Sequence, residues 1–179
     1  DLLINLENNI LSIILNRADT KNAITCKMRD ELNEILEMAI IDTNISRISL
    51  SANGRIFSTG GAVQEFGLVT DPASAHWIRS ISLPAKKLIQ LQDKLCVNIN
   101  GGAVGAAIEM AAFSKKIVAS QNSWFQLPEL KYGLIPGAGG TVSIPRRIGR
   151  QKTAYMAITA KKVSAKKALE WGLIDAIEH

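Results

Sequence analysis

No apolar run in this chain approaches the ~20 residues that a membrane-spanning helix needs, so no span is expected. The amino terminus, DLLINLENN, has no basic segment followed by an apolar one, and no secretion signal is read there. It also lacks an initiator Met, so Asp1 is not expected to be the natural start. Cysteine is limited to Cys26 and Cys96, too few for a disulfide framework. Both are expected as small core residues in a reduced, cytoplasmic protein. Histidine is scarcer still in function than in number. Only His76 and His179 occur, no Cys, His and Asp cluster has metal-ligand spacing, and no metal is expected. No G-x-S-x-G turn offers a serine nucleophile, and His76 is read as a structural residue. The glycines of Gly101–Gly105 and Gly137–Gly140 match neither G-x-G-x-x-G nor a phosphate loop closing on Gly-Lys-Ser/Thr. Hydride transfer and nucleotide hydrolysis lose support accordingly. Aromatic residues make up 5% of the chain and do not interleave with basic ones, so no nucleic-acid platform is expected.

What is present fits one α/β domain. The 179 residues suffice for one sizeable core, expected to span 1–179. Leu2–Leu6 and Ile10–Leu15 read as a hairpin across Glu7-Asn8-Asn9. Thr25 can cap a helix whose apolar face is Met28, Leu32, Ile35, Leu36, Ala39 and Ile40. Ser46–Ser51 and Leu95–Asn100 read as strands, and a helical region from about Pro72 to Gln92 should break at Pro84. Val104–Phe113 and Gln151–Thr159 read as helices, with Ile117–Ser120 and Trp124–Gln126 extended between them. Ser164 can cap a last helix that stops at Gly172. Charge is uneven along this path. Residues 91–179 hold twelve Lys/Arg against six Asp/Glu, a surface open to a phosphorylated small molecule or to plain solvation.

Two carboxylates stand out because their surroundings are apolar. Glu109 lies in GGAVGAAIEMAAF, a helix apolar on every side and so expected to be buried. Glu129 lies in QNSWFQLPELKYGLIPGAGGT, where Lys131 is the only other charge. Exposed helix and loop glutamates are the plain alternatives. Desolvated together at one cavity, the two would have pKa values pushed apart, giving one acid and one base. FSTGG (Phe57–Gly61) and NGGAVGAA (Asn100–Ala107) are small-residue loops, each expected to lead into a helix. Two unobstructed N–H groups there could converge as an oxyanion hole. Tight turns that allow close packing are the alternative.

Five stretches in order, NRADTKNA, GRIFSTGGAVQEF, INGGAVGAAIEMA, FQLPELKYGLIPGAGGT and KKALEWGLID, resemble the crotonase (enoyl-CoA hydratase/isomerase) superfamily across nearly the whole chain. The resemblance implies a spiral of ββα units that assembles as a trimer or hexamer and acts on acyl-coenzyme A thioesters. By position it implies oxyanion-hole N–H groups at Gly61 and Ala106 and catalytic glutamates at Glu109 and Glu129. Ala23, Thr59, Gly61, Ala62, Val63, Gln64 and Ala106 would run beside the substrate, with coenzyme A as part of that substrate and no separate cofactor. Ala62 stands where the family very often has Asp, Ala106 where Gly is usual, Leu95 where Pro is common and Lys115 where Asp is common. The sequence ends after Ile177 without the family's closing helices, so exposed apolar surface is expected, with either a weakened assembly or a longer natural chain. The implied activity is a lyase of fatty acid metabolism, hydrating a trans-2-enoyl-CoA. Double-bond isomerisation and non-catalytic acyl-CoA binding are the alternatives.

Overall fold

The computed structural model describes residues 1–178, and His179 lies outside them. Strands β1 (Leu2–Glu7) and β2 (Ile10–Leu15) pair antiparallel. Asn8 and Asn9 take the positive φ that a two-residue hairpin turn requires. Helix α1 (Cys26–Ile41) follows, capped as expected by Thr25, whose hydroxyl accepts from the Met28 N–H at 3.1 Å. Then come β3 (Arg47–Ala52), α2 (Pro72–Ser82) and α3 (Ala85–Leu91), the two helices parted at Leu83-Pro84. The rest of the chain forms β4 (Leu95–Ile99), β5 (Gly102–Val104), α4 (Ala106–Ala111), β6 (Lys116–Ser120) and β7 (Trp124–Gln126). It ends with α5 (Gly140–Thr159), β8 (Val163–Ser164), α6 (Ala165–Trp171) and β9 (Ala176–Glu178).

These elements wind as a spiral. The larger sheet runs β1-β2-β3-β4-β6-β9, parallel throughout except for the β1 edge. A smaller sheet, β5-β7-β8, is extended by parallel bridges from Ser58 to Ala103 and from Ile24 to Gly61. Each turn of chain thus lays one strand in the large sheet, a short one at the small sheet, and then a helix. The first turn is β2, Ile24 and α1; the second is β3, Phe57–Gly61 and α2–α3. The third is β4, β5 and α4, and the fourth is β6, β7 and α5. Period-2 burial along the large sheet turns Leu11, Ile13, Leu15, Ile48, Leu50, Leu95, Val97, Ile99 and Ile117 into one buried cluster. Leu32, Leu36, Leu88, Ile108 and Phe113 close that cluster from the helices.

Four expectations are corrected. Val104 is in strand β5 rather than a helix, because its N–H donates to Ser58 O and Gly105 then turns the chain into α4. The Phe57–Gly61 loop leads into a single 3-10 turn, Val63–Glu65, and so gains no helix dipole. Helix α5 begins at Gly140, eleven residues before the expected Gln151, and Gly149 (φ 78°, ψ 163°) interrupts it. Glycine and Pro145 disguised its first half, which forms because Ser143, Ile144 and Ile148 are buried there. Cys26 is exposed at the first position of α1, and Cys96 is half-buried on β4, alternating with the inward Leu95 and Val97. Neither is a core residue. His76 is on the exposed side of α2, 3.4 Å from Ser80 Oγ on the same helix. Several large apolar side chains are exposed, among them Leu68, Trp77, Ile135 and Ile158.

Candidate active site

The third turn of the spiral delivers Glu109. Helix α4 is buried on nearly all sides, and Glu109 within it is 1% exposed. Gly105 reaches this helix with φ 51° and ψ −124°, a backbone conformation that disfavours any side chain. A Cβ there would also collide with Glu129 Oε1. Gly105 therefore lets the third and fourth turns approach until the two carboxyls meet. Glu129 opens the 3-10 turn Glu129–Tyr132, and its carbonyl accepts from Leu134 N–H at 3.1 Å.

The Glu109 carboxyl has specific partners. Its Oε2 accepts from the N–H groups of Ala138 at 2.7 Å and Gly140 at 2.8 Å, at the start of α5. Ser143 Oγ donates to the Glu109 carbonyl at 2.7 Å. A Cβ on Gly140 would overlap the Glu109 side chain, so glycine is what admits the carboxyl. Burial pushes Glu109 up to about 8, against the two backbone donors and with help from the nearby Glu129 charge. Burial also raises the Glu129 carboxyl above its ordinary value. Its Oε2 is buried without a hydrogen-bond partner among the described residues.

This pair makes stability depend on pH. A carboxyl whose folded pKa is raised from 4.5 to about 8 stabilises the fold fully below pH 4.5 and loses that contribution as pH rises through 8. Unfolding free energy from denaturant titrations should therefore decline across that window, by up to a few kcal/mol at about 1.4 kcal/mol per pKa unit. Glu109→Gln should flatten the decline. A slope equally steep in the variant would assign it to other groups.

Beside the carboxyls lie two free donors. Neither the Gly61 N–H nor the Ala106 N–H has a hydrogen-bond acceptor among the described residues. The loops that carry them touch: a Cβ built on Gly60 would lie 3.4 Å from Ala106 N and 2.6 Å from Val104 O. Hydrogen bonds fix this approach. Ser58 N–H donates to Gly102 O, Val104 N–H to Ser58 O, Ile24 N–H to Gly60 O and Ala62 N–H to Ile24 O. Ala23 lies in the strip so joined to residues 59–62. Thr59, Val63 and Gln64 are exposed along it, Gly61 and Ala106 are half-buried, and Ala62 is buried.

Sequence reasoning passed over the residues that hold these groups in place. Asn22, fully buried, donates to Asn53 O at 2.8 Å and Ile56 O at 3.0 Å while accepting from Arg17 N–H at 2.7 Å. It clasps the first turn to the second. Ser58 Oγ donates to Asn22 O at 2.7 Å and accepts from Gly60 N–H at 3.1 Å. The Gly-Ala-Gly-Gly run that leads into α5 reads from sequence only as a mismatch to nucleotide loops and as part of the resemblance, although its N–H groups are what hold Glu109. The only signal for them was the glycines.

A spiral of strand, strand and helix, with one buried and one half-buried carboxyl where consecutive turns meet, is the crotonase class of fold. The enoyl-CoA hydratase/isomerase family model matches residues 5–178, and the chain belongs to that family. It is 29% identical to 2,3-dehydroadipyl-CoA hydratase of Escherichia coli (strain K12), over 99% of this chain and 69% of that protein. It is 27% identical to trans-2-decenoyl-acyl-carrier-protein isomerase of Streptococcus mutans, over 97% of this chain and 68% of the relative. Among solved structures, an enoyl-CoA hydratase from Thermoplasma volcanium GSS1 superposes with a TM-score of 0.89 at 27% identity, covering 99% of this chain and 71% of the other. The chain thus spans about two thirds of these relatives. Among the described residues, no helix is long and apolar enough to cross a membrane.

Proposed function

We propose that the chain catalyses the reversible syn addition of water to a trans-2-enoyl-CoA thioester, as a lyase. The observation that carries this reading is the meeting of Glu109 and Glu129 beside two N–H groups that have no acceptor among the described residues. The thioester oxygen would accept from Gly61 and Ala106, which stabilise enolate charge as it builds. Glu109 would take a proton from water attacking C3, and Glu129 would deliver one to C2. Burial raises the Glu109 carboxyl to about 8, so at neutral pH it has to give up a proton before it can act as the base. Glu129, its neighbour and likewise raised by burial, would be the group that receives that proton.

The named hydratases among the similar proteins support this reading. A second reading, double-bond isomerisation between C2 and C4, draws on the Streptococcus mutans isomerase and needs only Glu129 as proton carrier. Exposed apolar side chains such as Trp77 and Ile135 support assembly as a homotrimer or hexamer. The test is a screen of enoyl-CoA thioesters by loss of enoyl absorbance. Water addition should appear with a short trans-2-enoyl-CoA. Conversion of a 3-enoyl thioester alone would select isomerisation, and binding of thioesters without turnover would reject both enzymatic readings.

A further inference from the structure

One aromatic ring sits against the proposed oxyanion hole, and neither the comparisons nor the proposed chemistry gives it a task. Phe66 follows the 3-10 turn Val63–Glu65 and is 46% exposed. A Cβ built on Gly61 would lie 3.0 Å from Phe66 Cε1 and 3.1 Å from Cζ. The edge of the ring thus rests on the very residue whose N–H is free. The turn that carries it is tied down. Phe66 N–H donates to Val63 O and Glu65 N–H to Ala62 O. Glu65 Oε2 accepts from Cys26 N–H at 2.6 Å, clamping the turn to the first residue of α1. The ring is a held wall rather than a loose flap.

Distance decides what such a wall would touch. A residue's N and Cβ are both bonded to its Cα, within about 2.5 Å of each other. A carbonyl oxygen accepting from Gly61 N–H would lie about 2.9 Å from that nitrogen. Where the thioester lies along the face of Gly61 that carries the ring, its substituents, sulfur on one side and C2 on the other, face Phe66. We propose that Phe66 is a specificity-determining residue, its ring seated on Gly61 so that acyl thioesters with an unbranched C2 are accepted and those with a C2 methyl are disfavoured. Gly61 and Phe66 form a size-matched pair: the missing Cβ is the space the ring edge fills. Glu65 is a positioning residue for that wall. The proposal rests on the Gly61 and Ala106 site described above.

The test separates binding from turnover. Calorimetry with butyryl-CoA and isobutyryl-CoA, saturated thioesters that cannot react, gives the affinity ratio in the wild type, Phe66→Ala, Phe66→Leu and Glu65→Ala. One methyl in an apolar site is commonly worth about tenfold or more, so Phe66→Ala should shift the ratio about tenfold towards isobutyryl-CoA. Phe66→Leu should shift it less, and Glu65→Ala in the same direction. Gly61→Ala should weaken binding of butyryl-CoA by crowding the ring, and Gly61→Ala with Phe66→Leu should restore it. A ratio unchanged in folded Phe66→Ala, with both thioesters bound, overturns the proposal and leaves the hydratase reading standing. No binding of either thioester by the wild type overturns the underlying site as well.

Discussion

Replacing either Glu109 or Glu129 with glutamine should cut hydration by roughly a hundredfold to ten-thousandfold, the range that a lost general acid or base typically costs. The amide keeps the shape and an oxygen acceptor but cannot exchange the needed proton. In Glu109→Gln the amide oxygen can still accept from Ala138 and Gly140, so the start of α5 keeps its anchor. The variant also replaces a carboxyl that already holds its proton at neutral pH, being raised to about 8. Folding should therefore survive where turnover does not. In Glu129→Gln the loss falls on a carboxyl whose Oε2 has no partner to forfeit among the described residues. Initial rates of enoyl absorbance loss, set beside calorimetric affinity for a saturated thioester, measure the two effects separately. Near-wild-type turnover in either folded variant would remove that glutamate from the chemistry.

Gly61→Pro should produce the second large loss, about a hundredfold in turnover, because one oxyanion donor is typically worth ~3 kcal/mol in the transition state. The substitution adds a Cβ that crowds Phe66 but breaks no hydrogen bond. The Gly61 N–H has no acceptor among the described residues, so proline deletes a donor without deleting a hydrogen bond of the fold. Gly61→Ala alone is a poor control, since its methyl would sit 3.0 Å from the Phe66 ring and force it to shift. The matched comparison is Gly61→Pro against Gly61→Ala with Phe66→Leu in both, which relieves the contact in each and leaves the N–H as the difference between them. Proline far below alanine in that comparison, with both folded by circular dichroism, assigns the loss to the missing donor. Equal rates in the two would assign it to packing.

Much of this architecture was legible because local chemistry and tertiary structure agree. Thr25 and Ser164 cap the helices they precede, Gly172 ends α6 in a left-handed conformation, and Pro84 parts α2 from α3. Glu109 could be flagged because a charge on an all-apolar helix has no wet face to seek. Its environment was not legible, since both donors to its carboxyl come from residues 29 and 31 positions later. The same limit hid the first half of α5, where burial of Ser143 and Ile144 prevails over glycine and proline. Glu129 read as ambiguous for the converse reason: its carboxyl packs against Gly105 of the preceding turn, a contact its own loop does not announce. Phe66 looked like an ordinary apolar residue in a loop, and only its seat on Gly61 sets it apart. The cysteines were misjudged because composition says nothing of which face of a strand or which end of a helix a residue occupies.

The spiral also has a consequence for how the molecule opens. A chain wound in stacked turns touches chiefly its own neighbours, much as repeat proteins do, so structure is lost from the ends of the stack inward. Here β1 forms one edge of the large sheet and β9 the other. Gly61 belongs to the second turn, Ala106 and Glu109 to the third, and Glu129 with the Ala138 and Gly140 donors to the fourth. Backbone amides should then exchange with solvent deuterium soonest at the two edges and latest in β3 and β4. The proposed chemistry lies on the second, third and fourth turns, inside both edge strands, so either edge can fray and re-form many times while the carboxyls keep their spacing.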